Sequence, residues 1–391
     1  MFLISAIQSI FYVLIGNSVL GIEGMTFVYW MILFSVSCFA NLLGLNISAT
    51  FNSVKVIYIL IPILIIPQLL FSGILVQFDK LNPVFSSKSH VPWIGNVMAS
   101  RWAYEALAVT QFKENEYEKN FYEYNQEMKF SNWKKDKWVS NLDAKLENIN
   151  GYVNSQNDNP EKKISMERSI HILKNEIEKE NRHSKKIKVT DATIANLTLN
   201  KFNEEAYAEI KKYLATAKER YKRRYKAFED KKDSVEKTFM KPSAEYIALL
   251  DKARSENIID KKQHKKLRKF MTKLKEESFH QFMYKYKNSA LEDVVTNTNS
   301  FEVTDEDNNY VIQKSYPIYL EPYDYDYLKA HFYAPKKKLF GVYFDTFSAN
   351  ILVIWFMTVI LIMTLFLDTF KKTLDLFGRL GTLIPSFKRK K

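Results

Sequence analysis

The sequence predicts a mainly α-helical, polytopic membrane protein with four transmembrane helices and a large, mostly helical extramembrane domain between the third and the fourth. Residues 1–78 carry only Glu23 and Lys55 as ionised side chains, and residues 346–367 carry none. Between these regions lies a long charged stretch with apolar residues at helical spacing. About 20 apolar residues suffice for a helix to cross the hydrocarbon of a bilayer.

The first two predicted transmembrane helices cover about residues 1–20 and 26–45. The first helix is not read as a signal peptide, because it has no basic residue ahead of its apolar run. In the second helix Ala40, Gly44 and Ser48 recur every four residues on one stripe. Small residues in this arrangement let two membrane helices approach closely, so we predict a helix-packing role for the three.

The third predicted transmembrane helix covers about residues 54–78 and contains Pro62 and Pro67. Neighbouring groups in a membrane protein can satisfy the carbonyls that proline leaves free, so kinked helices persist there. We expect this helix to be bent. We also expect its far end to differ from a simple exit into water, because Gln68, Ser72 and Gly73 follow the prolines.

Residues 79–111 form a predicted interfacial helix region. Tryptophan and tyrosine favour the boundary between membrane and water. Prolines and aromatic residues are mixed here, at Pro83, Phe85, Pro92, Trp93, Trp102 and Tyr104. Within the region Ser100–Leu107 (SRWAYEAL) predicts a short helix on which Arg101 and Glu105, four residues apart, can form an ion pair.

Residues 112–345 form the predicted extramembrane domain. Helical periodicity is strongest over 161–188, 203–235, 243–256 and 259–288, whose interleaved Glu and Lys side chains predict solvated faces. From about Asn297 tyrosines stand among Asp and Pro, which predicts short strands and turns. The chain has one cysteine, so no disulfide within it can brace this domain.

The last predicted transmembrane helix covers residues 346–367, and a basic tail follows at 368–391. Basic residues near membrane helices mark the cytoplasmic side. The tail, with Lys371, Lys372 and a terminal KRKK, is therefore predicted to be cytoplasmic. Four crossings then put the large domain outside, which in bacteria means the periplasmic side of the inner (cell) membrane.

Several functions find no support in the sequence. A nucleic-acid partner is not expected, because such domains concentrate basic charge on one face and this chain interleaves Lys with Glu. No phosphate-binding loop, catalytic motif or metal-ligand spacing of its six histidines occurs. We therefore predict no enzyme activity, no catalytic, cofactor-binding or metal residues, and membrane lipids as the surroundings.

Three sequence elements resemble the membrane half of ABC type-2 permeases, especially the G-subfamily (White-like) exporters in their long-loop bacterial form. The resemblance covers roughly residues 1–112 and 330–370. Its elements are LLFSG (Leu69–Gly73), SRWAYEAL (Ser100–Leu107) and HFYAPKKKLFGVYFDTF (His331–Phe347). It does not cover residues 113–330, which exceed the usual external loop of that family.

The resemblance implies a dimer of six-helix membrane domains, with an ATP-binding cassette ATPase domain upstream on the same polypeptide. This chain would hold the carboxy-terminal part, with the last four of the six helices. A second copy of the permease and an ATPase domain or subunit would be its partners. ATP and Mg would bind to that ATPase and not to this chain.

The resemblance also suggests residue roles. The candidate translocation path consists of Asn41, Asn46, Pro62, Pro67 and Gln68, with helix packing as the ordinary alternative for each. The candidate external gate consists of Phe71, Ser72 and Gly73, and Arg101 with Glu105 would brace the interfacial helix. The alternative function is a membrane-anchored external scaffold that binds another envelope protein through its helical domain; an envelope enzyme has no supporting residues.

Overall fold

A computed structural model describes residues 1–51, 53–82, 90–155, 159–183, 188–298, 304–307, 309–322, 330–339 and 341–373. Most of these residues are helical, which confirms the mainly α fold class. The chain divides into two compact units. Unit 1 combines Met1–Asn115 with Glu321–Lys391, and unit 2 is Glu116–Leu320.

The helices and strands follow one another along both units. The helices are α1 (Phe2–Leu20), α2 (Thr26–Thr50), α3 (Val54–Leu70), α4 (Trp93–Asn96), α5 (Ala99–Lys113), α6 (Tyr122–Trp133), α7 (Val139–Ser155), α8 (Pro160–His183), α9 (Asp191–Ala195), α10 (Glu204–Met240), α11 (Ala244–Ser255), α12 (Lys261–Tyr286), α13 (Ser289–Thr296) and α14 (Thr346–Phe366). The strands are β1 (Thr304–Asp307), β2 (Tyr310–Gln313), β3 (Lys336–Leu339) and β4 (Val342–Asp345), which form the antiparallel hairpins β1–β2 and β3–β4.

Three helices of unit 1 are long and apolar enough to cross a membrane. Their mean hydropathies are 1.7 for α1, 1.8 for α2 and 2.4 for α14. Helix α3 is equally apolar but has 17 residues. It ends at Leu70, earlier than the predicted Phe78, because the chain turns at Phe71–Gly73, where Gly73 takes a φ of +82°.

The membrane-type helices pack through one shared core. Helices α2, α5 and α14 bury Ile32, Leu42, Trp102, Ala106 and Ile354 against one another. Their outward faces, and those of α1 and α3, expose large aliphatic and aromatic side chains, as expected where lipid covers the surface.

Helix α1 is attached to α2 by polar contacts. Trp30 Nε1 donates a hydrogen bond to the carbonyl oxygen of Ala6 (3.1 Å), and Asn41 Nδ2 donates to Ser5 Oγ (2.7 Å). Between α2 and α14, Trp355 Nε1 donates to Ser35 Oγ (3.0 Å). Polar groups paired across helices satisfy each other where water is absent.

Unit 2 has its own hydrophobic core. The four predicted helical stretches correspond to α8, α10, α11 and α12, and the predicted Tyr-rich strand region contains β1 and β2. Residues of α7, α8 and α10 make up most of the core, among them Leu142, Leu146, Ile149, Leu173, Ile177, Ile210 and Leu214. Tyr323, Tyr325 and Tyr327 lie outside the described residues, as do Pro83 and Phe85.

Two carboxylates of α8 turn into this core instead of facing solvent. Glu176 Oε2 accepts a hydrogen bond from Trp138 Nε1 (2.7 Å), and Glu180 Oε2 forms an ion pair with Lys134 Nζ (3.0 Å). Lys134 and Trp138 bound a short π-helical turn. The expectation of a fully solvated Glu and Lys face is therefore wrong for α8, because this turn supplies buried donors for the two carboxylates.

Candidate functional site

The candidate site lies in unit 1, where α5, residues 330–339 and the start of α14 meet. We call Arg101, Trp102, Glu105, Lys337 and Asn350 the junction cluster. The side chains of Arg101, Glu105 and Lys337 are 1%, 0% and 3% exposed. Charged groups are rarely buried so completely unless they are paired, so the cluster is a built feature of the fold.

Glu105 is the acceptor on which the cluster converges. Its Oε1 accepts a hydrogen bond from the backbone N–H of Tyr333 (3.1 Å). Its Oε2 accepts from Lys337 Nζ and from Asn350 Nδ2 (3.1 Å), and it lies 3.6 Å from Arg101 Nη1. One carboxylate thereby joins α5 to two segments that follow more than 220 residues later in the chain.

Trp102 supports both cations of the cluster. The guanidinium carbon of Arg101 lies 3.9 Å from the centre of the Trp102 ring, and Lys337 Nζ lies 4.6 Å from it. The ring is fixed because its Nε1 donates to the carbonyl oxygen of Asn96 (2.8 Å). Within the described residues Arg101 Nε and Nη1 have no hydrogen-bond partner, so ring stacking and the charge of Glu105 hold this guanidinium.

The electrostatics of the cluster follow from two cations around one anion. Burial alone would raise the pKa of Glu105, but the charges of Arg101 and Lys337, with hydrogen bonds from Lys337 and Asn350, lower it. Burial and the neighbouring Arg101 lower the pKa of Lys337 to about 7, against the opposing pull of Glu105. Glu105 is thus the ionised counterion on which the two buried cations depend.

The two residues predicted to brace an interfacial helix therefore face inward. Arg101 and Glu105 do pair, but α5 is buried between α2 and α14 along Trp102, Ala106 and Val109. The helix is part of the protein core at this level, and its braces are Lys337 and Asn350.

The candidate gate residues form a tight turn after α3. Ser72 is buried, and its Oγ donates to the carbonyl oxygen of Leu69 (2.7 Å) and accepts from the N–H of Ile74 (3.2 Å). A Cβ on Gly73 would lie 2.7 Å from ring atoms of both Phe332 and Phe78. Only glycine fits this position, since the turn also needs a positive φ.

Phe332 links the gate turn to the junction cluster. Its ring packs edge-on against Phe78, with centroids 5.1 Å apart, and covers Gly73. The next residue, Tyr333, donates its N–H to Glu105. The turn and the buried carboxylate are thus one residue apart along the same segment.

Two candidate path residues are used in internal hydrogen bonds. Gln68 Oε1 accepts from the N–H of Ser100 (3.2 Å), and the Gln68 carbonyl oxygen accepts from Ser100 Oγ (2.5 Å), so Gln68 ties the end of α3 to the start of α5. Asn46 is buried. Its Nδ2 donates to the carbonyl oxygen of Leu361 (2.9 Å), and its Oδ1 accepts from Thr364 Oγ1 (3.1 Å).

The other candidate path residues lie nearer the surface. Asn41 and Pro62 are exposed and Pro67 is half-buried, and both prolines stand inside α3. Asn41 donates to Ser5 Oγ of α1. The structure does not bring these three residues together with the gate turn or the junction cluster.

The small-residue stripe of α2 is exposed. Ala40, Gly44 and Ser48 all face away from the core, and no atom of the described chain lies within 4 Å of a Cβ built on Gly44. Within one copy α2 packs through Ile32 and Leu42 instead. The predicted helix-packing role has no partner helix in the described residues, and it stays a prediction for contact with another chain.

Lys337 and Asn350 are site residues that the sequence interpretation missed. Two signals could have found them. In β3 Lys337 alternates with Leu339 on the buried face of the strand, and Asn350 is an amide near the start of an otherwise apolar helix. Polar side chains in such a helix usually face a protein partner.

Comparison with known proteins identifies part of the chain. Residues 1–112 match a family described as ABC-2 type transporter. No curated protein and no solved structure matches the chain. Together with the apolar helices, the family match confirms a multi-pass membrane protein and the resemblance to ABC type-2 permeases over these residues.

The close approach at Gly73 predicts an unequal pair of alanine variants. Gly341 shares its φ of +82° but has no atom within 4 Å of a built Cβ. We expect Gly73→Ala to lower the free energy of unfolding of the purified chain by about 2 kcal/mol more than Gly341→Ala, because only Gly73 meets two aromatic rings. Thermal unfolding in detergent measures both. Equal losses would contradict the packing of Phe332 on this turn.

The contacts of Asn46 predict a packing role that can be separated from a path role. Asn46→Leu removes its hydrogen bonds to α14 and should lower stability by about 1 kcal/mol. The control Asn41→Leu removes one hydrogen bond at an exposed position and should cost less. If Asn46→Leu left thermal stability unchanged and altered only the substrate preference of the transporter, the packing role would be wrong.

Proposed function

From the membership of residues 1–112 in the ABC-2 type transporter family, we propose that this chain is the permease part of an ATP-driven ABC exporter. The family match is the observation that carries the proposal, because it includes the gate turn and most of α5. A transporter needs a membrane-spanning part that changes conformation, and it needs no catalytic residues in that part. The long-loop, White-like form is our assignment from the elements around Gly73, Glu105 and Lys337.

In this proposal four helices cross the membrane. Helix α3 joins α1, α2 and α14, since its 17 residues reach about 26 Å and the Phe71–Gly73 turn lies close to the boundary with water. Unit 2 is extramembrane and external, in keeping with its charged surface. The tail beyond Lys372 is cytoplasmic, and residues 374–391 of it lie outside the described residues.

The energy comes from a partner in this proposal. The sequence has no phosphate-binding loop, so ATP and Mg bind to an ATPase domain or subunit, and this chain contributes no catalytic group. Two copies of the permease enclose the path. The exposed small-residue stripe of α2, with Asn41 beside it, is the surface of this chain that we assign to that second copy.

The junction cluster gives the exporter a means of coupling. Glu105 connects α14 with the segment that carries Phe332, and Phe332 covers the gate turn. A displacement of α14 relative to α5 therefore changes the cover of Gly73. Packed interfaces of this kind switch between discrete arrangements and do not deform continuously.

The size of unit 2 favours one second candidate, a membrane-anchored external scaffold. Unit 2 has its own buried core and could dock another envelope protein. A scaffold requires no ATPase partner and no movement at the gate turn, which separates the two candidates by experiment.

Reconstitution with an ATPase tests the proposal. The chain is coexpressed with the ATPase encoded in the same frame or beside it, purified and placed in proteoliposomes. We expect the two to copurify and ATP hydrolysis to rise when the permease is present. An ATPase with its phosphate-loop lysine replaced by alanine is the control, and it should bind without hydrolysis. Absence of any ATPase from the complex would refute the exporter and favour the scaffold.

A further inference from the structure

The first half of α12 in unit 2 is unusually basic. Residues 261–275 (KKQHKKLRKFMTKLK) contain eight Lys and Arg side chains and no Asp or Glu. The surrounding helices interleave the two signs, so this concentration is local. A helix segment with one sign of charge attracts a partner of the opposite sign.

An apolar stripe runs along the same segment and is uncovered. Leu267, Phe270 and Leu274 are spaced by three and four residues, which places them on one face of the helix. Their exposed fractions are 37%, 57% and 41%. An exposed helix face with large apolar residues in register is typical of a surface that meets a partner.

A lysine stripe borders the apolar one. Lys262, Lys266, Lys269 and Lys273 follow one another at spacings of four, three and four residues, and all are exposed. Three of them directly precede an apolar residue of the stripe. Within the described residues no carboxylate lies at ion-pair distance from Lys262, Lys266 or Lys269, while Lys273 lies 3.9 Å from Glu277.

Other side chains of α12 already attach it to unit 2. His264 is buried and its Nε2 shares a hydrogen bond with Asp251 Oδ1 of α11 (2.8 Å). Phe279 packs against the rings of Phe121 and Phe239. The helix is therefore anchored by a different face, and the apolar and lysine stripes are left over from its folding.

We propose that the paired stripes of α12 bind the anionic phospholipid surface of the bilayer that holds α1, α2 and α14. A lipid surface offers phosphates above hydrocarbon, which matches a row of ammonium groups beside a row of apolar side chains. Lysine stems lie along apolar surface while their charged ends stay with the phosphates. Nucleic acid supplies the phosphates without the hydrocarbon, so it fits one stripe only.

The host bilayer is the source because the chain itself tethers unit 2 to it. A tethered surface meets its partner at a high effective concentration, so modest affinity suffices. This inference does not depend on the transport function, because an external scaffold anchored in the same membrane would present the same helix.

A fluorescent reporter at the end of the apolar stripe tests the proposal in the full chain. Ser278 is exposed and lies four residues beyond Leu274. Ser278→Cys is labelled with an environment-sensitive nitrobenzoxadiazole dye on a Cys38→Ala background, and the protein is reconstituted in phosphatidylcholine with or without phosphatidylglycerol. We expect a blue shift and quenching by doxyl-labelled lipid only with phosphatidylglycerol, both weakened by salt.

Two variants and their matched controls complete the test. Lys262→Ser/Lys266→Ser/Lys269→Ser, or Leu267→Ser/Phe270→Ser/Leu274→Ser, should reduce the equilibrium constant for lipid contact by on the order of tenfold or more. Loss of three exposed lysines of α10 (Lys222→Ser/Lys231→Ser/Lys237→Ser) and the apolar control Ile164→Ser should leave it unchanged. The proposal is overturned if the signal is equal in both lipids, if it needs separately added anionic vesicles, or if soluble polyglutamate alone produces it.

Discussion

The buried carboxylate of Glu105 is the group on which unit 1 depends. A charge in this position is tolerated only because donors from three separate segments surround it: Lys337 from β3, the Tyr333 N–H and Asn350 from α14. Removing one partner of such a group leaves an uncompensated charge in a dry interior. The same requirement fixes where α14 lies on α5, since Asn350 also donates to the carbonyl oxygen of Trp102.

The gate turn takes its shape from the same arrangement. Gly73 has room only for hydrogen because Phe332 lies over it, and Phe332 is held there by its neighbour Tyr333 on Glu105. At the opposite end of α5, Gln68 fastens α3 to Ser100. The elements that the family resemblance singled out as separate motifs are therefore one connected structure. This connection is why we assign it to coupling between helix movement and the external end of the path.

The sequence predicted what depends on local pattern and missed what depends on distant pairing. Hydropathy located α1, α2 and α14 because a membrane helix needs a continuous apolar run, and the spacing of Arg101 and Glu105 predicted their pairing. Lys337 as the second cation could not be predicted, since 232 positions separate it from Glu105. Asn46 resembled a path residue because the sequence gives no sign of the carbonyl of Leu361 that it meets. Helix α3 ended early because the turn at Gly73 depends on rings brought from elsewhere.

A double-mutant cycle on Glu105 and Lys337 tests the central claim most directly, with unfolding of the purified full chain as the readout. Glu105→Gln leaves two buried cations without a counterion and should cost about 3 kcal/mol or more. Adding Lys337→Met removes one of those cations, so the two losses should fall short of additivity by about 1–3 kcal/mol. The partly exposed pair of Lys113 and Asp345, 2.6 Å apart, is the control and should couple by about 1 kcal/mol at most. Additive losses at Glu105 and Lys337 would contradict the account.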